Sequence, residues 1–249
     1  MPHALAAPIT LLCLPCAGAS ATMYLRWRRL LPASIQLVPL ELPGRGVRIA
    51  EAAVEDFGTL VARLCAENAH LLRGDFALFG HSMGALLACG MARRLQALGR
   101  PLPRALLVSA CAAPSQRGVD RFGESHDDAA LVADLRRQGG TPEAVFAHEE
   151  LLRLTLALLR ADYRVCGSFA PRTAVPMPLP VHAFAGRDDP IGLQPMQAWS
   201  AETSEAFTLD DFGGGHFFIR SAEDAFLAAL AQRLGQIGAG ARLALQEPA

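Results

Sequence analysis

The chain contains no lysine: all 23 of its basic residues are arginine. That excludes Schiff-base chemistry, a phosphate-binding P-loop lysine and a Ser-Lys dyad. Long apolar runs are also missing. No segment reaches the roughly 18 uninterrupted apolar residues that a membrane span needs, so no membrane partner is expected. Blocks of like charge are absent and the net charge is −1, which argues against a nucleic-acid partner. The seven histidines show no H-E-x-x-H or related ligand spacing, so neither a metal nor any other cofactor is expected.

What is present suits one globular α/β domain over residues 1–249. A chain of 249 residues with 51% hydrophobic content can bury roughly three quarters of its unfolded surface. The six cysteines (Cys13, Cys16, Cys65, Cys89, Cys111, Cys166) are scattered, several within apolar runs. They read as reduced thiols of a cytoplasmic protein. Cys13-Leu-Pro-Cys16 matches a C-x-x-C redox spacing, but the chain is too long for one thioredoxin-like domain. Ala4 to Ala21 is apolar and ends in small residues, as a secretory leader does. It has no positive start, the first arginine being Arg26, and Pro8 and Pro15 interrupt it. A first core strand is the better reading.

Strand-like runs alternate with helical patterns. Strands are expected at Ile9–Leu14, Ile35–Leu40, Phe76–Phe79, Ala105–Ser109, Val181–Gly186 and Ala206–Leu209. Helices are expected at about Thr22–Leu31, Val54–Leu72, Met83–Leu98 and Ala222–Leu234. This alternation predicts a mainly parallel sheet covered by helices on both faces. Residues 112–180 break the pattern, with no convincing strand. Asp127–Gln138 is an amphipathic helix stopped by Gly139-Gly140. Thr141-Pro142-Glu143 reads as a helix start capped by threonine, and Glu149–Cys166 is rich in leucine. Some seventy residues are too many for a simple crossover, and the segment is expected to be a helical lid. Leu151, Leu152, Leu154, Leu156, Leu158 and Leu159 are expected to touch both the core and a substrate pocket.

The chemistry centres on Gly80-His81-Ser82-Met83-Gly84, a G-x-S-x-G match between a strand-like run and a helical one. In an α/β-hydrolase this is the sharp turn that lifts the serine hydroxyl out of the sheet. A serine needs a base, and the base an orienting carboxylate. The fold's order of serine, acid, histidine is met by Asp189, with Asp188 as the other candidate, and by His216 on the loop Gly213-Gly-Gly-His216. An oxyanion hole needs two backbone N–H groups. Met83 follows the serine, and Ala17, with Cys16 second, lies on the loop after the first strand. His81 reads as part of the turn.

Taken together, these pieces resemble the stand-alone type II thioesterases of nonribosomal peptide and polyketide synthesis, members of the α/β-hydrolase superfamily. The resemblance rests on Leu14-Pro-Cys-Ala-Gly18, Trp27, Leu42-Pro-Gly-Arg45, Phe79-Gly-His-Ser-Met-Gly-Ala85, Gly139-Gly-Thr-Pro142, Leu159-Arg-Ala-Asp-Tyr163, Trp199 and Gly214-Gly-His-Phe-Phe218. It departs at Cys16 and Ala19, where the family often has an aromatic or histidine and a second glycine. It implies a nucleophile at Ser82, acid at Asp189, base at His216 and oxyanion donors at Ala17 and Met83. It also implies hydrolysis of mis-primed or stalled acyl groups from phosphopantetheinyl carrier proteins of a siderophore- or antibiotic-type assembly line, by a monomer. The alternatives are an acyl-CoA or small-ester hydrolase, a fatty-acyl carrier-protein release thioesterase, or a hydrolase-fold binding protein without catalysis, against which the complete triad argues.

Overall fold

The computed structural model describes residues 8–117, 127–170 and 175–244. Among them six strands form one parallel sheet: β1 (Ile9–Leu14), β2 (Ile35–Pro39), β3 (Phe76–His81), β4 (Leu106–Ser109), β5 (Val181–Gly186) and β6 (Phe207–Phe212). The spatial order is β2-β1-β3-β4-β5-β6. Because every pair is parallel, all six strands end at one edge, where the loops carrying the candidate residues meet.

Alternation along the strands splits the core into two faces. Leu12 and Leu14 of β1 and Leu78 of β3 face one side. There they pack with α1 (Phe57–Glu67) and α2 (Met83–Ala97). Leu11, Cys13, Ala77 and Phe79 face the other, under Tyr24, Trp27 and Phe226. Near the carboxyl edge lie α3 (Asp128–Gln138), α4 (Glu143–Phe146) and α5 (Glu149–Gly167). These helices have a small core of their own: Leu131, Leu135, Leu156, Leu159 and Tyr163. Two short helices, α6 (Leu193–Gln197) and α7 (Phe218–Ser221), precede α8 (Glu223–Ala244).

Several boundaries differ from the sequence reading, each for a local reason. The helix expected at Thr22–Leu31 is a 3-10 helix, Ala21–Arg29, started by Ser20 Oγ accepting from the Thr22 N–H. Its buried residues Ala21, Tyr24 and Trp27 recur every third position, the period of that helix. The helix expected from Val54 begins at Phe57, because Asp56 caps the Thr59 N–H at 2.7 Å, and it ends at Glu67. Thr141 makes no cap: Pro142 precedes α4, and no side-chain cap bond forms there. The last helix runs on to Ala244. The apolar stretch Ala4 to Ala21 lies partly, at 4–7, outside the described residues, as do parts of the expected lid, at 118–126 and 171–174.

One contact fixes how closely the layers approach. A Cβ on Gly84, in the first turn of α2, would collide with the Leu14 carbonyl oxygen at the end of β1. Alanine in a helix is favoured over glycine by about 1 kcal/mol, but a clash with rigid backbone outweighs that. Gly84→Ala should destabilise the protein by about 2 kcal/mol in urea unfolding; unchanged or raised stability would show that α2 can back away from β1.

Buried histidines supply a second test. His182 on β5 is 5% exposed, its Nδ1 2.8 Å from Thr208 Oγ1. Burial, aided by the positive charge of Arg233, lowers its pKa to about 4. The unfolded chain therefore binds a proton that the fold refuses between about pH 6.5 and 4, so stability falls as pH drops through that window. His182→Gln should lose less stability than wild type between pH 7.5 and 5.5, by about 1 kcal/mol. Parallel curves for the two proteins would remove His182 as a source of acid sensitivity.

Candidate active site

β3 runs into α2 through Ser82 alone. Ser82 adopts φ 55° and ψ −120°, a backbone region that non-glycine residues seldom occupy and that is held only where surroundings enforce it. The enforcement is visible. The Ser82 N–H donates to the Ser109 carbonyl at 2.8 Å, and a Cβ on Gly80 would strike the Gly84 carbonyl. Met83 is the first residue of α2, so its N–H has no partner within the helix and sits at the positive end of the helix dipole.

The loop after β5 carries both candidate acids, and they behave differently. Asp189 is 7% exposed. Its Oδ1 accepts from the Ile191 N–H at 3.1 Å, and its Oδ2 lies 2.8 Å from His216 Nδ1. A carboxylate only accepts, so Nδ1 carries the proton and Nε2 is left as a base. Asp188 is exposed. Its carboxylate accepts from the Gly214 N–H at 3.2 Å, and its own N–H donates to the Gly214 carbonyl at 3.0 Å. It clamps the histidine loop from outside. Gly186 has no room for a side chain, since a Cβ would meet the carbonyls of Gly214 and Gly215.

Ser82, His216, Met83, Ala17 and Cys16 all line one cavity of about 330 Å³, within the range of small-molecule sites. Cys111 and Cys166 line it too. Burial pushes the Cys16 and Cys166 thiols up to about 12 and Cys111 to about 11; they are neutral walls rather than nucleophiles. All six cysteines are free and buried, so Cys13 and Cys16 form no disulfide. His81 is fully buried beneath the serine. Its Nδ1 is 2.9 Å from Ser109 Oγ, and its ring centroid is 5.3 Å from that of His216. Burial first, then the charges of His216 and Arg220, hold its pKa well below the usual histidine value.

The expectation about the six leucines needs correction. Leu151 and Leu154 are about half exposed, whereas Leu156 and Leu159 are buried in the core that α5 shares with α3. From residues 112–180 it is Ala112, Gln116, Arg117, Gln138, Tyr163 and Cys166 that reach the cavity. A turn of α5 presents its leucines to α3 and to solvent, and only its last two turns point at the site. The segment also touches the histidine loop: Gly140 abuts the Phe217 ring, and Arg220 donates to the Gly140 carbonyl at 2.7 Å. Among the described residues no group of His, Cys, Asp or Glu could hold a metal, and no helix is long and apolar enough to cross a membrane.

Sequence reasoning missed the pairing of Arg45 with Asp162. Both belong to motifs that carried the resemblance, but nothing in a separation of 117 residues announces a contact. Arg45 donates Nη1 to Asp162 Oδ2 at 2.7 Å and Nη2 to Oδ1 at 2.6 Å. The side chains are 4% and 1% exposed.

Comparison with known proteins agrees with this geometry. A thioesterase-domain family model matches residues 9–235. The thioesterase PikA5 of Streptomyces venezuelae is 37% identical over 213 residues, 85% of this chain and 75% of that protein. The gramicidin S biosynthesis protein GrsT of Aneurinibacillus migulanus is 33% identical over 215 residues, 86% of this chain and 84% of its own. The solved structure of BorB, a type II thioesterase from the borrelidin biosynthetic cluster, superposes with a TM-score of 0.83 at 40% identity, covering 94% of this chain and 95% of that one. A parallel sheet with a serine at the strand–helix turn defines an α/β-hydrolase-type fold. Within that class, the chain belongs to the thioesterase family.

The two aspartates give a direct test of the acid. In Asp189→Asn the amide oxygen stays on the Ile191 N–H and the NH₂ faces His216 Nδ1, which favours the wrong imidazole tautomer, so kcat should fall by about 10⁴. Asp188→Asn disturbs only an exposed clamp and should cost less than about tenfold. Steady-state hydrolysis of a small thioester by both variants decides the matter, and the reverse order of severity would transfer the role of acid to Asp188.

Proposed function

We propose that this chain is a serine thioesterase of the type II, editing kind. In this reading Ser82 Oγ attacks the thioester carbonyl as His216 Nε2 takes its proton, and Asp189 steadies the resulting imidazolium. The N–H groups of Met83 and Ala17 receive the developing oxyanion. Collapse expels the thiolate, which takes the proton from His216 and leaves as thiol. Water, activated by the same histidine, then cleaves the acyl-serine ester and releases the carboxylic acid and free Ser82. The observation that carries this reading is the Asp189–His216 pair, 2.8 Å apart, whose histidine lines one cavity with a serine held at positive φ.

The substrates we infer are acyl groups on the phosphopantetheinyl arm of carrier-protein domains in a cytoplasmic nonribosomal peptide or polyketide assembly line. Membership of the thioesterase family and the kinship with PikA5, GrsT and BorB support that choice. The cavity of about 330 Å³ suits a short acyl unit with the end of the arm better than a long fatty chain. The helical segment at 112–180 acts as the lid, selecting acyl groups through Gln138 and Tyr163. The enzyme works as a monomer.

Ser82→Ala removes one hydroxyl and little packing. It should lower kcat by about 10⁴ or more while leaving thermal unfolding close to wild type. Activity within tenfold of wild type would end the serine mechanism. Hydrolysis of the same acyl group on a carrier protein and on coenzyme A, at matched concentration, tests the partner: kcat/KM should favour the carrier protein, and a preference for coenzyme A would make the chain an acyl-CoA hydrolase.

A further inference from the structure

The loop between β1 and the 3-10 helix, Pro15 to Ser20, holds Ala17 at the cavity. Few bonds of its own fix it: the Ala19 N–H donates to the Cys16 carbonyl at 3.1 Å. The remaining constraints come from far away in the chain. The Gly18 N–H, one peptide beyond Ala17, donates to Asp162 Oδ2 on α5 at 2.7 Å. The Ala19 carbonyl accepts from Arg45 Nη1 at 3.1 Å, and the Ala21 N–H donates to Glu41 Oε1 at 3.0 Å. Gly18 itself has φ +74°, the conformation that aims its N–H at Asp162.

Arg45 and Asp162 are thus joined to each other by two charge-assisted bonds and to the loop by two more. A buried ion pair adds little to stability over a well-packed apolar pair of similar volume. What it does add is direction, because a forked guanidinium and a carboxylate bond in a single plane. Stability alone therefore gives no reason to bury this pair behind a loop, whereas fixing the orientation of the peptides on either side of Gly18 does.

We propose that Asp162 and Arg45 are positioning residues for thioester hydrolysis: together they hold the loop so that the Ala17 N–H faces the oxyanion. This rests on the assignment of Ser82 as nucleophile and Ala17 as oxyanion donor. The consequence is that α5, though part of the helical segment over the site, is fastened at Asp162 to the catalytic loop itself.

The test uses the whole protein and an S-acyl-N-acetylcysteamine thioester. Asp162→Asn should lower kcat by about 10- to 100-fold, part of the 10²- to 10³-fold that loss of an oxyanion donor costs, with KM within about twofold. The inhibition constant of an alkylboronic acid, which forms a tetrahedral adduct on the serine, should rise in the same proportion. The double variant Arg45→Met/Asp162→Leu, which removes both charges together, should unfold near the wild-type temperature yet show the same loss. It also answers the question should the single variant fail to fold. Leu156→Ala, in the core between α3 and α5, is the control: it lowers stability without lowering kcat below the transition. The proposal is overturned if the charge-free pair keeps kcat within about threefold of wild type, if the loss falls on KM, or if Leu156→Ala costs as much kcat. Activity surviving in Ser82→Ala would instead overturn the serine reading on which it stands.

Discussion

The close approach of α2 to the end of β1 is the constraint from which the rest of the site follows. Gly80 and Gly84 let the chain turn through Ser82 with backbone against backbone. That turn leaves Ser82 at positive φ, places the start of α2 beside it, and brings the loop after β1 alongside, because Gly84 touches Leu14. A serine, a helix N-terminus and the loop after β1 thus become neighbours through one steric fact. Widen the contact by a side chain and all three separate together.

The parallel sheet does the complementary work. Residues 134 positions apart, Ser82 and His216, reach one cavity because β3, β5 and β6 all end at the same edge. Asp189 is then locked by its own loop through the Ile191 N–H, and Asp188 ties that loop to the next through Gly214. The adjacent aspartates divide two tasks: one is buried and faces the imidazole, the other is exposed and holds the backbone that presents it.

Much of this was legible in the sequence. The short apolar runs of β1 and β3 marked the strands, since burial on both faces leaves few other ways to use such runs. The order of Ser82, Asp189 and His216 gave the candidate triad, because the topology permits one order. Three things were not legible, for physical reasons. The 3-10 helix at Ala21–Arg29 differs from an α-helix in one bond per residue, and only the packing of Tyr24 and Trp27 against Phe79 selects it. The leucines of α5 could not be divided between a pocket and a private core without knowing that α3 lies beside them. The Arg45–Asp162 pair left a trace only as two motifs, since long-range pairing is a property of the folded chain.

That last pair constrains the lid proposed above. The first turns of α5, with Leu151 and Leu154 exposed, meet α4 and α3 through apolar contact. Asp162, further along α5, is different: its side chain is fully buried and bonded to Arg45 and to the Gly18 N–H. Moving it would strand a buried guanidinium and a buried carboxylate, a cost on the order of 3–5 kcal/mol, far more than a few apolar contacts resist. On the lid reading proposed above, any opening over the cavity would be confined to α3, α4 and the start of α5. On that reading Tyr163 and Cys166, near Asp162 on α5, keep their place relative to Ser82, and the change falls on the wall that includes Gln138. The proposed lid and the proposed oxyanion loop would thus draw on different ends of the same helical segment.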